Sequence, residues 1–457
     1  MNSEPATYSH KNLKIHAAPG MGAAYAAALS MLLVCMSVFT VNMALSTITE
    51  SLGGNMGLQQ WMISGYTLPF AALLIASGSI SDRIGAKKTL IFAALAYGLV
   101  SAACPFAQSM EMLVCFQVAL GSIGAFMLPS SMALIGESYS EGSRRSHALM
   151  LWGIGGSSAS AVGPLAGGAL VQIHWGLAFV INVPFCILVA LLCTRAPNRI
   201  KNTERKPIDI QGLLLGTIGL AVFVGGIISI SDSQNVLFPV SLCILGCAIL
   251  ASFILHEDRV KQPILPLSLF QEKTTRLALF GGFAMIFAWN GSVFSCTLLL
   301  QNSLGLSSLE SGYIFAPAMI TCMLGNMIGE KLVMCRGVKF PLVFGSTILF
   351  FGYLVLAICS HSINSIAIAT AMSLAGMGGA IVTPVLASLV LIHGGTNSGG
   401  TASAAFNAMR QVGGTIGVAV YGVTLNLAPS FENGSLIAAI VSLLMLAIMI
   451  IGFIRIR

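Results

Sequence analysis

Gly78-Ser79-Ile80-Ser81-Asp82-Arg83-Ile84-Gly85-Ala86-Lys87-Lys88 is the stretch on which the reading of the fold turns. It sets Asp82, Arg83, Lys87 and Lys88 between two long apolar runs, residues 60–81 and 89–107. A helix needs about 20 mainly apolar residues to cross ~30 Å of hydrocarbon, and both runs approach or reach that length. A connector this short joins them as antiparallel helices with a charged turn at the membrane surface. Gly78 and Gly85 flank the turn, where small residues let helix ends approach closely.

The same pattern continues in both directions. The chain has 457 residues, 56% of them hydrophobic and 8% charged, with a mean hydropathy of +0.90. A soluble chain carries about a quarter charged residues, so the solvent for this one is a bilayer. Fourteen apolar runs are legible: 22–46, 60–81, 89–107, 112–136, 147–172, 176–194, 211–230, 236–256, 277–300, 310–329, 340–360, 363–392, 401–427 and 435–454. The expected fold class is therefore all-α integral membrane. The first run, preceded by Lys11 and Lys14, is too long for a signal-peptide core and reads as an uncleaved span.

With the N-terminus in the cytoplasm, every one of the 22 Lys and Arg except Arg410 falls in a cytoplasmic segment. That distribution fits an inner-membrane protein with both termini cytoplasmic. It also disposes of the net charge of +7 as a sign of nucleic-acid binding, because the charges are spread through loops and form no patch. Ten of the 11 cysteines lie in apolar runs without metal-ligand spacing and read as small buried residues. Neither a metal nor a cofactor is expected, and no catalytic constellation marks an enzyme.

Gly121-Ser-Ile-Gly124-Ala125-Phe-Met-Leu-Pro129 in the fourth run recurs 255 residues later as Gly376-Met-Gly-Gly379-Ala380-Ile-Val-Thr-Pro384. Duplicated halves are a common plan of transporters. The organisation expected is a cytoplasmic tail (1–21), a six-helix half (22–194), a linker with two inserted helices (195–275) and a second six-helix half (276–457).

The 78–88 loop closely resembles the cytoplasmic signature of the major facilitator superfamily, and Gly163-Pro164-Leu-Ala-Gly167-Gly168 resembles its antiporter motif. Asn42-Met-Ala44-Leu45, Ile181-Asn182-Val183-Pro184, Pro266-Leu267-Ser268-Leu269-Phe270 and Arg410-Gln411-Val-Gly413-Gly414 resemble the fourteen-helix drug:proton antiporters. The resemblance implies a major facilitator fold of 14 helices arranged 6 + 2 + 6. It also implies that Asp82, with Arg83, belongs to a contact that latches the outward-facing state. Asp82 sits at a costly depth unless paired, and Arg83, Arg144, Arg145 and the start of the thirteenth span are candidate partners. In the fifth span Gly155, Ala159, Gly163 and Gly167 form a smooth ridge on which helices pack, and Pro164 bends the helix.

Two positions depart from the family. Ser37 stands where the first-span motif usually has Asp, and Gln117 where the fourth-span motif usually has Arg. All 15 Asp and Glu fall in tails, loops or span ends, so no carboxylate is available at mid-membrane depth to carry a proton. Arg410 lies about nine residues into its span, ~14 Å deep. It is either a contact for anionic or neutral substrates or a structural arginine bonded to groups such as Asn407 and Gln411. Asn42, Gln117, Trp61, Tyr66 and Asn290 are further candidates for a substrate pathway, apolar with a few polar anchors. The function expected is export of small amphipathic or hydrophobic compounds by a monomer in the lipid bilayer, with protons as the candidate coupling ion. A facilitator or exporter of an organic anion not driven by protons, or a poorly active paralogue, is the alternative.

Overall fold

The computed structural model describes residues 21–139, 142–196, 209–232, 237–260, 263–265, 267–359, 364–393 and 399–455. Among them there are helices and no strand. The first set is α1 (Gly22–Leu52), α2 (Met56–Ile84), α3 (Ala86–Ala103), α4 (Met110–Ser138), α5 (Ser143–Val171), α6 (Leu177–Val180) and α7 (Asn182–Thr194). A pair follows, α8 (Ile210–Asp232) and α9 (Leu237–Glu257). The second set is α10 (Lys273–Leu298), α11 (Ser308–Arg336), α12 (Lys339–Ile358), α13 (Ser365–His393), α14 (Gly399–Leu427) and α15 (Phe431–Ile454).

Among the described residues, 11 of these stretches are long and apolar enough to cross a membrane, or 12 if the two arms of α5 form one span. The short α6 and α7 together make one of them, Leu177–Thr194. Of the fourteen apolar runs in the sequence, the two outside this set are α2 and α14. These helices press on one another across the middle of the molecule and bring hydroxyl and amide side chains into that contact.

Helix ends are set locally. Asn55 accepts from Leu58 N at 2.9 Å, Ser109 caps Met112, and Ser307 with Glu310 closes a reciprocal capping box at the start of α11. Gly85 ends α2 with φ +98° and Gly337 ends α11 with φ +71°, conformations that residues with a Cβ rarely adopt. Gly85-Ala86-Lys87 thus recurs as Gly337-Val338-Lys339 at the equivalent turn, a second internal repeat.

Packing follows the same duplication. In the first set α1 packs on α5, α2 on α4, and α3 on α4 and α7. In the second set α10 packs on α14, α11 on α13, and α12 on α13 and α15. The repeated glycines explain one of these pairings. Gly121 of α4 lies against the backbone of Tyr66 in α2, and Gly376 of α13 lies against the Ala318 carbonyl of α11. Each set is built around an apolar cluster, and each cluster takes in side chains from across the junction: Phe294, Leu298, Val418 and Leu425 join the first, and Met43 the second. Tyr97, Phe179 and Leu113 belong to the first core, and Tyr353, Phe315 and Leu386 to the second. Burial of such side chains contributes about 1.5–3 kcal/mol each in water, but within lipid close packing of small residues carries more of the association.

The chain begins α1 and ends α15 on one face. Ala24 N donates to the Tyr139 hydroxyl at the end of α4, and Lys87 donates to Thr194 O at 2.7 Å and Ala196 O at 2.8 Å beyond α7. We refer to this as the terminal face and to the opposite one as the distal face. Lys87 thereby satisfies carbonyls left open at a helix C-terminus, a fixed structural role for a charge of the 78–88 loop.

A candidate substrate pathway between the two helix sets

The ridge on α5 lies against α1. Gly155 approaches the Ala28 carbonyl, and a Cβ on Gly163 would fall 2.7 Å from Phe39 Cβ and one on Gly167 2.9 Å from Thr40 Cα. Thr40 Oγ1 donates to the Gly163 carbonyl at 3.4 Å. The helix bends by 43° between Ser160 and Val162. Pro164 accounts for the bend, since it has no N–H for the carbonyl four residues earlier. On α14, Gly413 and Gly417 approach the carbonyls of Phe283 and Phe287 on α10 in the same manner.

The helix sets meet along α2–α14 and α5–α11, which are one contact and its repeat-related copy. A Cβ on Gly168 would lie 2.6 Å from the Ser308 carbonyl, and one on Gly312 2.8 Å from the Pro164 carbonyl. Thr67 and Thr415 share a hydrogen bond of 2.8 Å. A π-turn at Leu299–Ser303 ends α10 and directs two amides at α1. Gln301 Nε2 donates to Met43 O at 3.1 Å, and the Ser46 hydroxyl donates to Asn302 Oδ1 at 3.3 Å. These contacts lie in the distal half of the helices. Gln60 also packs there, against Gly422, its amide buried and without a hydrogen-bond partner. Such an amide costs about 1–3 kcal/mol.

Arg410 sits nearer the middle. Its stem passes Gly282 of α10, and its guanidinium lies 5.7 Å from the centre of the Phe406 ring. Nη1 donates to Asn407 Oδ1 at 3.3 Å, one of the partners anticipated; Gln411 instead engages Thr415 through its carbonyl. The Cys35 thiol of α1 is within electrostatic reach of the Arg410 charge.

The other candidates separate. Tyr66 and Gln117 come together, with Val38, Val41, Met62 and Ile63, around a cavity of about 10 Å³, the space of one water molecule. Tyr66 donates to Val34 O at 3.1 Å and Gln117 to Met62 O at 3.0 Å, so both are anchored within the first core. Asn42 is likewise buried, its amide donating to Val38 O at 2.8 Å, while its own oxygen has no partner. Trp61 packs with Leu220 and Val224 of α8. Asn290, partly buried on α10, stands over Gly414. Ser37 is fully occupied: it donates to Leu33 O and shares a 2.6 Å hydrogen bond with the Tyr97 hydroxyl.

In the 78–88 loop, Gly78 is in loose contact with Pro129, Gly85 is the buried turn glycine, and Arg83 is exposed. The Asp82 side chain lies outside the described residues, so the latch anticipated for it is not assigned a partner. Sequence reasoning missed Lys87 as a cap, Gln60, the Thr67–Thr415 pair and the π-turn; the repeat of the Gly-x-Lys turn was the available signal for the first.

A model of the Major Facilitator Superfamily matches residues 27–418. A methylenomycin A resistance protein of Bacillus subtilis is 31% identical over 413 residues, covering 89% of this chain and 88% of its own. The multidrug transporter protein MdtP of Bacillus subtilis is 27% identical, over 84% of this chain and 72% of its own. Among solved structures, a POT family transporter bound to a thioalcohol-conjugated peptide superposes with a TM-score of 0.70 over 94% of this chain and 95% of its own. At 11% identity that likeness speaks to the fold alone.

Proposed function

The chain belongs to the Major Facilitator Superfamily, and from that premise we propose that it exports small amphipathic or hydrophobic compounds by alternating access. In this reading it spans the inner membrane fourteen times as 6 + 2 + 6, as a monomer, with the terminal face in the cytoplasm. The distribution of Lys and Arg supports that orientation. The pair α8–α9 is an insert resting on α2 and α14.

The observation that carries the reading is the distal junction. Two helix sets meet there through glycines, hydroxyls and amides, with a few apolar side chains between them, Met43 and Leu298 among them. Most of each set's apolar packing therefore lies away from the surface that would part. The small-residue ridges of α5 on α1 and α14 on α10 keep each set rigid while it rocks. Resistance and efflux relatives, methylenomycin A resistance and MdtP among them, support the outward direction.

Ser37 and Gln117 bear on the coupling to protons. Both are neutral, buried and hydrogen-bonded, and neither takes up a proton at the depth where the family usually carries charge. Export in this reading does not depend on protonation of either site. Loading cells with a fluorescent amphiphile and following its efflux, with and without a protonophore, tests both parts. Efflux that depends on the chain supports export. No efflux of any amphiphile, together with chain-dependent uptake, contradicts it.

A further inference from the structure

We propose that Arg410 makes the pathway selective for anionic amphiphiles, compounds with an apolar body and a carboxylate or comparable anion. The proposal rests on the export reading and adds the charge of the substrate to it. Arg410 lies 11 residues from the start of α14, or ~17 Å along the helix. Among the described side chains, the acids of the long helices stay near the ends: Glu50 is two residues from the end of α1, Glu137 one from the end of α4, and Glu310 two from the start of α11. The titratable group that acts on Arg410 is a thiol, Cys35, and its hydrogen-bond partner is the neutral Asn407 at 3.3 Å. A guanidinium has five donors in a planar fork, and one long bond to an amide leaves most of that capacity for a second oxygen-bearing group.

The setting suits an anion with an apolar body. Phe406 lies beneath the guanidinium, and Gly282 leaves room beside its stem. An arginine within a membrane protein is stabilised by a counter-charge or by water, and an anionic substrate would supply the former. A cationic amphiphile would meet like charge, with no acid acting on Arg410 among the described residues. Charge at this position would therefore discriminate through both attraction and repulsion.

The test has two readings. In cells expressing the full chain, efflux is followed for carboxyfluorescein (anionic), rhodamine 6G (cationic) and Nile red (neutral). The expected result is carboxyfluorescein efflux that falls about ten- to hundred-fold in Arg410→Gln and recovers in part in Arg410→Lys, the loss of one charge-assisted contact. In purified protein, Cys35 is modified with an anionic sulfonatoethyl or a cationic trimethylammonioethyl methanethiosulfonate and read by mass spectrometry of its peptide. The anionic reagent is expected to react faster, and the preference to collapse in Arg410→Gln. Rhodamine 6G exported in preference to carboxyfluorescein would leave export standing and overturn the selectivity, as would full anion efflux by Arg410→Gln. Chain-independent efflux of all three dyes would overturn the export reading and this proposal with it. Should Arg410→Gln not accumulate, equal rates of the two reagents at Cys35 of the unmodified chain would still contradict the proposal.

Discussion

The hydroxyls of Thr67 and Thr415, 348 residues apart in sequence, meet at 2.8 Å between α2 and α14. Both are buried and each is within reach of a carbonyl of its own helix, Thr67 of Ile63 O and Thr415 of Gln411 O, so one hydroxyl donates across the junction while the other accepts and donates within its helix. The pair thus joins the two helix sets without being needed by either one. Replacing one threonine by valine is expected to weaken the junction by about 1 kcal/mol, and replacing both by less than the sum. A double-mutant cycle on thermal stability in detergent measures the coupling.

Gly312 tests the junction sterically. A side chain there would meet the Pro164 carbonyl, with the Cβ only 2.8 Å away, while the cores of both sets stay as they are. Gly312→Val is expected to reach the membrane in normal amount yet lose most of its transport, because the distal face cannot close. A cysteine placed at Ser46 should then react about tenfold faster with an impermeant thiol reagent applied from outside.

Ser37 fills the position of the family's acid with a hydrogen bond to Tyr97 at 2.6 Å. Ser37→Ala leaves the buried Tyr97 hydroxyl without this partner and is expected to lower stability by about 1 kcal/mol. The pH dependence of efflux should be unchanged, since no ionisable group has been removed. A shifted pH profile in this variant would contradict the energy-source reading.

The α8–α9 pair is tied at the terminal face by Asp209, which accepts from Gly212 N at 2.9 Å and contacts His256 Nε2 at 2.9 Å. Burial alone would raise the Asp209 carboxyl, but these contacts outweigh it and hold it below its usual value of 3.8. A carboxyl lowered in the fold adds stability above its unfolded value, and that contribution is lost as the pH falls through the folded one. Asp209→Asn should therefore be less stable than the parent chain at neutral pH, with the gap closing below about pH 3.8. Thermal unfolding across pH measures it.

Much of the architecture was legible because membrane helices announce themselves through length, charge placement and glycine. The Gly85 turn, the bend at Pro164 and the repeat at Gly121 and Gly376 all appear where the sequence puts them. Direction of burial was less legible. A helix surrounded by lipid and protein is apolar on every side, so periodicity does not tell which face of α2 or α4 is inward. That is why Tyr66 and Gln117 end in the first core and Trp61 against α8. The junction itself depends on residues hundreds of positions apart, such as Ser46 with Asn302, and no local pattern encodes such a pair. The π-turn that presents Asn302 is a local departure from a helical pattern that reads as continuous in sequence.

Parting of that distal junction is the central claim, and Ser46 and Asn302 offer the most direct measurement of it. Cysteines at both positions, adjacent across the two sets, can be joined by mild oxidation and released by a reductant. Dye efflux should be normal when the pair is reduced, fall to background when it is oxidised, and return on reduction, with both single variants unaffected. Full efflux with the disulfide formed would mean that export proceeds without opening this junction, and would contradict the account.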